Sequence, residues 1–174
     1  MLLPSANETA SPDRLALIRE YFNCFNERRF ADAAAMFADD AVLEQLPFGS
    51  RERGGAAYML YAGAWTRAFP DATVTIQRVI ERSPSVFEVD VIGTGTHQGD
   101  LVFGALVIKA TGLPVTLNFR ELLELQPRGL TMSCVSFDFQ ELVLQLAQGN
   151  TPRSVQPPRA TRTMWSSHDA EFGV

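Results

Sequence analysis

The sequence predicts an α+β fold in which three N-terminal helices pack on a curved, mainly antiparallel sheet. Large apolar side chains recur at near-helical spacing through much of residues 11–69. From Asp71 onward the apolar period is two, which is typical of strands. Helices first and strands afterwards favour a cone-shaped α+β barrel over a sheet of alternating strands and helices.

Helix start and stop signals divide the first half of the chain. Ser11 is predicted as the N-cap and Pro12 as the first helical residue of the first helix. Asp39 and Asp40 are predicted to end an alanine-rich second helix, and Pro70 a third. The predicted bounds are residues 11–28, 30–38 and 56–69 for the helices, 41–46 for a short strand and 47–55 for a loop.

Turn sequences divide the second half of the chain into strands. The segments ERSPS, ATGLP and QPRG combine residues that favour turns and separate runs rich in β-branched and aromatic side chains. The strands are predicted at residues 73–81, 85–95, 101–110, 115–125 and 130–138, with a helix at 139–146 after them.

Length, composition and charge indicate one domain that acts on small molecules. A chain of 174 residues, 46% of them hydrophobic, is long enough for a single core. With 15 basic against 20 acidic residues, the formal charge of −5 argues against nucleic acid or an anionic membrane surface as a partner. We expect a flexible N-terminus at 1–10, a domain at 11–148 and a disordered tail at 149–174.

The N-terminal segment and the cysteines predict a cytoplasmic protein. Residues 1–13 lack both a cationic start and a sustained apolar run, and no later segment is long and uncharged enough to span a bilayer. Cys24 and Cys134 have no metal-ligand spacing and fit a reducing compartment.

Three ionisable side chains fall on apolar faces of the predicted strands. His97, Glu121 and Asp138 each share a strand face with apolar residues, although the face of Asp138 is mixed. A buried carboxylate must be partnered, protonated or open to a wet cavity, and one site shared by the three groups satisfies this requirement. Alternatives remain open: His97 satisfies backbone groups, a β-bulge turns Glu121 to solvent, or Asp138 only caps the next helix.

Several short motifs occur in a fixed order along the chain. They are Tyr21, Phe22 and Asn26 in the first helix, MFADDAV at 36–42, AFPD at 68–71, GTHQG at 95–99, ATGLPV at 110–115 and D-x-x-x-L-x-x-Q-L at 138–146. Over about residues 11–148 this series resembles the SnoaL-like polyketide cyclase family of the nuclear transport factor 2-like superfamily.

The resemblance implies a hydrophobic cavity for a polycyclic substrate and a homodimer formed through the outer face of the sheet. It implies that Asp138 is the acid/base that removes a proton from carbon and protonates the new alkoxide, and that His97 orients the charge or relays the proton. No metal or organic cofactor is needed. We therefore expect a cofactor-independent cyclase of secondary metabolism, of lyase or isomerase type, that closes a ring on a polyketide-type substrate by an intramolecular aldol reaction.

Departures from the family pattern affect one wall of the expected cavity. Met132 and Cys134 stand where the family commonly has an acidic residue and a tryptophan, and Glu121 is interpreted as a substitute acid. A set of His, Glu and Asp also suits the opening of an epoxide by an internal hydroxyl group. An epoxide-opening cyclase or hydrolase, a hydroxylase of the same scaffold and a non-catalytic small-molecule binder are therefore the alternatives.

Large side chains are expected to bind the substrate by lining the cavity, although ordinary core packing is the alternative for each aromatic residue. The predicted lining residues are Tyr21, Phe25, Phe48, Tyr58, Trp65, Met132 and Cys134.

Overall fold

The computed structural model describes residues 12–148, and of Gln148 the backbone alone. The predictions for Ser11, the N-terminus at 1–10 and the tail at 149–174 lie outside the described residues. The helices are α1 Pro12–Asn26, α2 Phe30–Ala35, α3 Gly55–Ala68 and α4 Phe139–Gln148, and a 3-10 turn covers Leu46–Phe48. The strands are β1 Phe37–Gln45, β2 Ser50–Arg53, β3 Thr73–Ser83, β4 Val86–Thr96, β5 Leu101–Phe103, β6 Leu106–Ile108, β7 Pro114–Gln126 and β8 Gly129–Phe137.

Six strands form one sheet in the order β2-β1-β8-β7-β4-β3. Every neighbouring pair is antiparallel except β1 and β8, which run parallel. Apolar residues of α1, α2 and α3 pack with those of β1, β4, β7 and β8 in the main core cluster. The predicted cone-shaped α+β barrel, with helices on a curved and mainly antiparallel sheet, is confirmed.

Three local predictions are wrong. The second helix ends at Ala35, and Asp39 and Asp40 lie in β1 between Phe37 and Val42, whose pairing with β8 outweighs the local helix signal. The loop predicted at 47–55 contains β2, which pairs with the end of β1. The strand predicted at 101–110 is a short hairpin, because Gly104 turns the chain with a φ of 58° between β5 and β6.

Buried charges on the outer face of the sheet are paired. Asp90 accepts hydrogen bonds from Arg120 and Arg78, and Glu88 accepts one from Arg82. Burial raises the pKa of the Asp90 carboxyl, but the hydrogen bonds from Arg120 and Arg78 lower it by more, so its pKa lies below the usual range. Strand alternation therefore separates an ionic outer face from an apolar inner face.

No helix within residues 12–148 is both long and apolar enough to cross a membrane.

Candidate active site

A cavity of about 150 Å³ lies between the helices and the inner face of the sheet. Tyr21 and Phe25 reach it from α1, where a spacing of four residues puts them on one helix face. Tyr58 and Trp65 reach it from α3 at a spacing of seven. These four aromatic residues line the cavity, as the sequence predicts.

Glu121 places a carboxyl group in this apolar space. It lies in β7 on the face of Leu117, Phe119 and Leu123, and it is only 3% exposed. The alternative that a bulge turns it to solvent is therefore wrong. Burial raises the pKa of the Glu121 carboxyl from 4.5 to about 7, although hydrogen bonds from Ser133 and Tyr21 act in the opposite direction.

Two hydroxyl groups hold the Glu121 carboxyl in place. Tyr21 Oη donates to Oε1 over 2.8 Å, and Ser133 Oγ donates to the same oxygen over 2.5 Å. Burial and the nearby carboxylate raise the pKa of Tyr21 well above its ordinary value, so its hydroxyl stays protonated as a donor. Because both hydrogen bonds end on Oε1, Oε2 is the oxygen left for a molecule in the cavity.

A β-bulge near the start of β8 explains why the alternation in the sequence assigns the later residues of this strand to the wrong face of the sheet. Leu130 pairs with Leu125 and is fully buried in the core, but the next pair is Met132 with Glu124, so Thr131 is an extra residue. A bulge shifts side-chain alternation by one position. Ser133 consequently faces the cavity, together with the later residues Val135 and Phe137.

Three predicted lining residues do not line the cavity. Met132 and Cys134 alternate with the cavity-lining residues of β8 because of the bulge. Phe48 stacks on Phe103, with ring centroids 3.7 Å apart, in an aromatic cluster beside the cavity residue Trp65. Ser133 takes part in the site instead, and the bulge that directs it inward leaves no clear signal in the sequence.

Asp138 lies outside the cavity lining and caps a helix. It follows the last residue of β8, its side chain is exposed, and its Oδ1 accepts hydrogen bonds from the backbone N–H groups of Gln140 and Glu141. These bonds satisfy donors in the first turn of α4 that have no partner within the helix. The geometry thus favours the cap alternative for Asp138.

Replacing Asp138 by Ala is expected to lower the free energy of unfolding by about 1 kcal/mol, because α4 loses its N-cap. Asp138→Asn keeps an oxygen that can accept the same bonds, so it is expected to stay within a few tenths of a kcal/mol of the wild type. Urea unfolding at pH 8 measures both values. Equal stability of all three proteins would contradict the capping role.

His97 also lies outside the cavity lining. It is fully buried beyond the end of β4, its ring stacks on Phe69 with centroids 5.0 Å apart, and its Nδ1 lies 3.1 Å from Thr111 Oγ1. Its backbone joins the loop before β7 through hydrogen bonds with Thr111, Gly112 and Leu113. Burial lowers the pKa of His97, and the charge of Asp100 opposes this. The expected single site for His97, Glu121 and Asp138 is not observed, because among the three Glu121 alone lines the cavity.

The arrangement suits proton transfer to and from an apolar molecule. A carboxyl with a pKa near 7 is present as both acid and base at neutral pH, which is the condition for efficient general acid–base catalysis. Among residues 12–148 no group of three or more His, Cys, Asp or Glu side chains is placed to hold a metal ion.

Fold and cavity together define an α+β cone with a buried acid in an aromatic pocket. The family model for the SnoaL-like polyketide cyclase matches residues 15–133. The chain therefore belongs to the SnoaL-like polyketide cyclase family. The match includes Glu121 and Ser133, whereas Asp138 lies beyond its end.

Solved structures of low sequence identity share the fold. A protein from Jannaschia sp. CCS1, assigned as a SnoaL-like polyketide cyclase, has a TM-score of 0.68 and 10% identity, with 83% of this chain and 99% of that chain covered. TsrD from Streptomyces laurentii has a TM-score of 0.66 and 14% identity, with 79% and 98% covered.

SalBIII is an epoxide hydrolase/cyclase-like enzyme of pyran ring formation in the polyether salinomycin. It has a TM-score of 0.60 and 19% identity, with 74% of this chain and 93% of that chain covered. At such identities the likeness shows the fold alone. No curated protein sequence matches this chain.

Proposed function

We propose that this protein is a cofactor-independent cyclase that closes a ring on a hydrophobic, polyketide-type substrate by intramolecular aldol chemistry. One observation carries the proposal: the Glu121 carboxyl is buried in an aromatic cavity, and this burial raises its pKa to about 7. Membership of the SnoaL-like polyketide cyclase family supports the reaction class.

Glu121 acts first as a base and then as an acid. Its carboxylate takes a proton from a carbon next to a carbonyl group, and the resulting carbanion attacks a second carbonyl of the same molecule. The carboxylic acid then returns the proton to the new alkoxide, so the enzyme ends in its starting state. The cavity holds the reacting carbons together, which favours an intramolecular reaction.

The acid/base role moves from Asp138 to Glu121 in this proposal. The resemblance assigns the role to Asp138, but that side chain is exposed and bonded to backbone N–H groups of α4. Glu121 has the burial, the raised pKa and the position in the cavity wall that the reaction requires. For His97 we propose a supporting role, in which it fixes the turn that leads into the loop before β7.

Ring closure by epoxide opening is the second candidate, because a buried carboxyl with a raised pKa also suits this reaction, and SalBIII, an epoxide hydrolase/cyclase-like enzyme, shares the fold. In that reaction Glu121 would take the proton of a hydroxyl group, whose oxygen attacks an epoxide carbon of the same molecule. The C–O bond of the epoxide breaks, and its oxygen takes up the proton that Glu121 received, which restores the carboxylate. Both reactions leave the substrate mass unchanged, but they need different substrates.

Mass spectrometry of reaction products tests the function. The purified protein is incubated without added cofactor with linear polyketide esters and with hydroxy-epoxides, and the products are compared with a protein-free control. A cyclic isomer of unchanged mass is expected, and the substrate that yields it selects the aldol or the epoxide route. Gain of oxygen would indicate a hydroxylase, gain of water a hydrolase, and tight binding without product a binding module. Each of these three outcomes would contradict the cyclase.

We further propose that the protein acts in the cytoplasm as a homodimer that pairs through the outer face of the sheet. The two cysteines are free thiols, which fits a reducing compartment.

The outer face of the sheet, through which we propose that the dimer pairs, carries the charged cluster of Glu88, Asp90 and Arg120. Sedimentation velocity is expected to give twice the chain mass of 19.2 kDa, and the mass of one chain would contradict the dimer.

A further inference from the structure

The cavity wall also contains a buried amide whose oxygen has no hydrogen-bond partner among the described residues. Gln45, the last residue of β1, is 3% exposed and lines the cavity, and its Oε1 has no hydrogen-bond partner in the described part of the chain. Four other buried side-chain atoms of that part also lack a hydrogen-bond partner, although Glu88 Oε1 forms an ion pair with Arg120. They belong to residues that do not line the cavity: Ser50, Glu81, Glu88 and His97.

An unpaired amide in this position is unfavourable for folding. Buried polar groups of proteins are nearly always hydrogen-bonded, because a group that has lost water and gained no partner is destabilising. An apolar side chain would fill the same space without this penalty. A molecule bound in the cavity would supply the missing partner.

Gln45 and Glu121 lie in one row across the sheet. Gln45 is the register partner of Val135 on β8, and Val135 is the register partner of Glu121 on β7. All three line the cavity, so their side chains rise from the same face. Two strand spacings put the backbones of Gln45 and Glu121 about 10 Å apart. A substrate above Val135 would meet the amide on one side and the carboxyl on the other.

We infer that Gln45 is a catalytic residue that binds the carbonyl oxygen on which negative charge develops when Glu121 removes the neighbouring proton. This inference rests on the proposed function. Turning the amide about its last bond exchanges Oε1 and Nε2, so the side chain can present an N–H donor to that oxygen.

Atoms and charges balance in this step. The proton moves from carbon to Glu121, the electron pair of the C–H bond forms a C=C bond, and the carbonyl π pair moves to the oxygen bound by Gln45. When the new C–C bond forms, the carbonyl is restored and the second carbonyl oxygen becomes an alkoxide. Glu121 gives its proton to that alkoxide.

In this step Glu121 transfers the proton, and the Gln45 amide stabilises the negative charge on the carbonyl oxygen. The amide is neutral at every pH at which the protein folds, so it does not compete with Glu121 for the proton. A donor fixed on a strand and surrounded by apolar walls stabilises the developing charge without reorienting during the reaction. Gln45 also selects substrates, because it favours an oxygen at one defined position in a mainly apolar cavity.

Two small aromatic probes test the inference without the true substrate. A cavity of about 150 Å³ can hold a single ring. Ligand-observed ¹⁹F NMR at pH 6 gives the dissociation constants of fluorobenzene and 4-fluorophenol, which differ by one oxygen. We expect the wild type to bind 4-fluorophenol about tenfold more tightly. In Gln45→Met the ratio is expected to fall to about one, with the affinity for fluorobenzene retained.

Glu121→Gln is the matched control, and it is expected to keep the preference for 4-fluorophenol. Gln45→Met is expected to unfold at the same temperature as the wild type or higher, because the unpaired amide is gone. If that variant does not fold, Gln45→Asn is measured instead, and its shorter side chain should lower the ratio.

Three results would overturn the inference. A wild type without preference or an unchanged ratio in Gln45→Met would each remove the role of Gln45 and leave the role of Glu121 intact. Failure of the wild type to bind either probe would show that the cavity is not a ligand site, and would overturn both proposals.

Discussion

Replacing Glu121 by Gln is expected to reduce turnover by about 10²–10⁴-fold, which is the usual contribution of general acid–base catalysis. Gln has nearly the same shape and offers an oxygen to the hydroxyls of Tyr21 and Ser133, which donate to Oε1 in the wild type. It cannot take or give a proton at neutral pH. The fold should therefore survive while the reaction stops. Initial rates with the substrate identified by mass spectrometry measure the loss.

Asp138→Asn separates this account from the assignment based on resemblance. The variant keeps the capping oxygen of α4 and removes the charge. We expect it to turn over at about the wild-type rate. His97→Ala is expected to act mainly on stability, because His97 is fully buried against Phe69. Full activity in Glu121→Gln, together with an inactive Asp138→Asn, would return the acid/base role to Asp138.

The second large effect is a loss of stability as the pH rises through neutrality. The Glu121 carboxyl titrates at about 7 in the folded protein and at its ordinary 4.5 in the unfolded chain. Between these values the folded state holds a proton that the unfolded state has released, so increasing pH favours unfolding. The contribution of the neutral Glu121 carboxyl to the free energy of unfolding is fully present below pH 4.5 and lost by about pH 8. A shift of this size corresponds to about 3 kcal/mol.

Glu121→Gln isolates this effect from other titrations. Burial lowers the pKa of His97, so near pH 6 the unfolded chain binds a proton at His97 more readily than the folded protein does. This contribution makes stability rise with pH, opposite to that of Glu121. Subtracting the unfolding free energy of the wild type from that of Glu121→Gln removes that contribution. The difference, measured by urea unfolding from pH 4.5 to 8.5, should grow by about 3 kcal/mol in favour of the variant. A difference that does not vary with pH would contradict a raised pKa.

The sequence predicts the fold well because helix and strand periodicity extend over long segments. Four strand predictions between residues 73 and 138 agree with β3, β4, β7 and β8 to within two residues at each end. Periodicity fails where partners distant in sequence decide the structure. Asp39 and Asp40 look like a helix end, yet pairing of β1 with β2 and β8 makes them part of a strand.

The site was only partly predictable for a similar reason. Alternation in β7 is regular, so the sequence correctly predicts Glu121 on the inner face. In β8 the extra residue Thr131 reverses the alternation. The sequence pattern therefore places Ser133 on the outer face and predicts Cys134 as a lining residue, whereas the structure shows the reverse. Gln45 lies near the end of a short predicted strand and gives no sequence signal of its own, because its position in the row of Glu121 depends on the parallel pairing of β1 with β8.

The titration of the Glu121 carboxyl tests the central claim most directly, since it requires no substrate. Glutamate labelled with ¹³C at the carboxyl carbon is incorporated, and the Glu121 signal is assigned by its absence in Glu121→Gln. The account predicts a midpoint of about 7. It also predicts a higher midpoint in Tyr21→Phe, because the Tyr21 hydrogen bond lowers the pKa. A midpoint near the ordinary 4.5 would contradict the account.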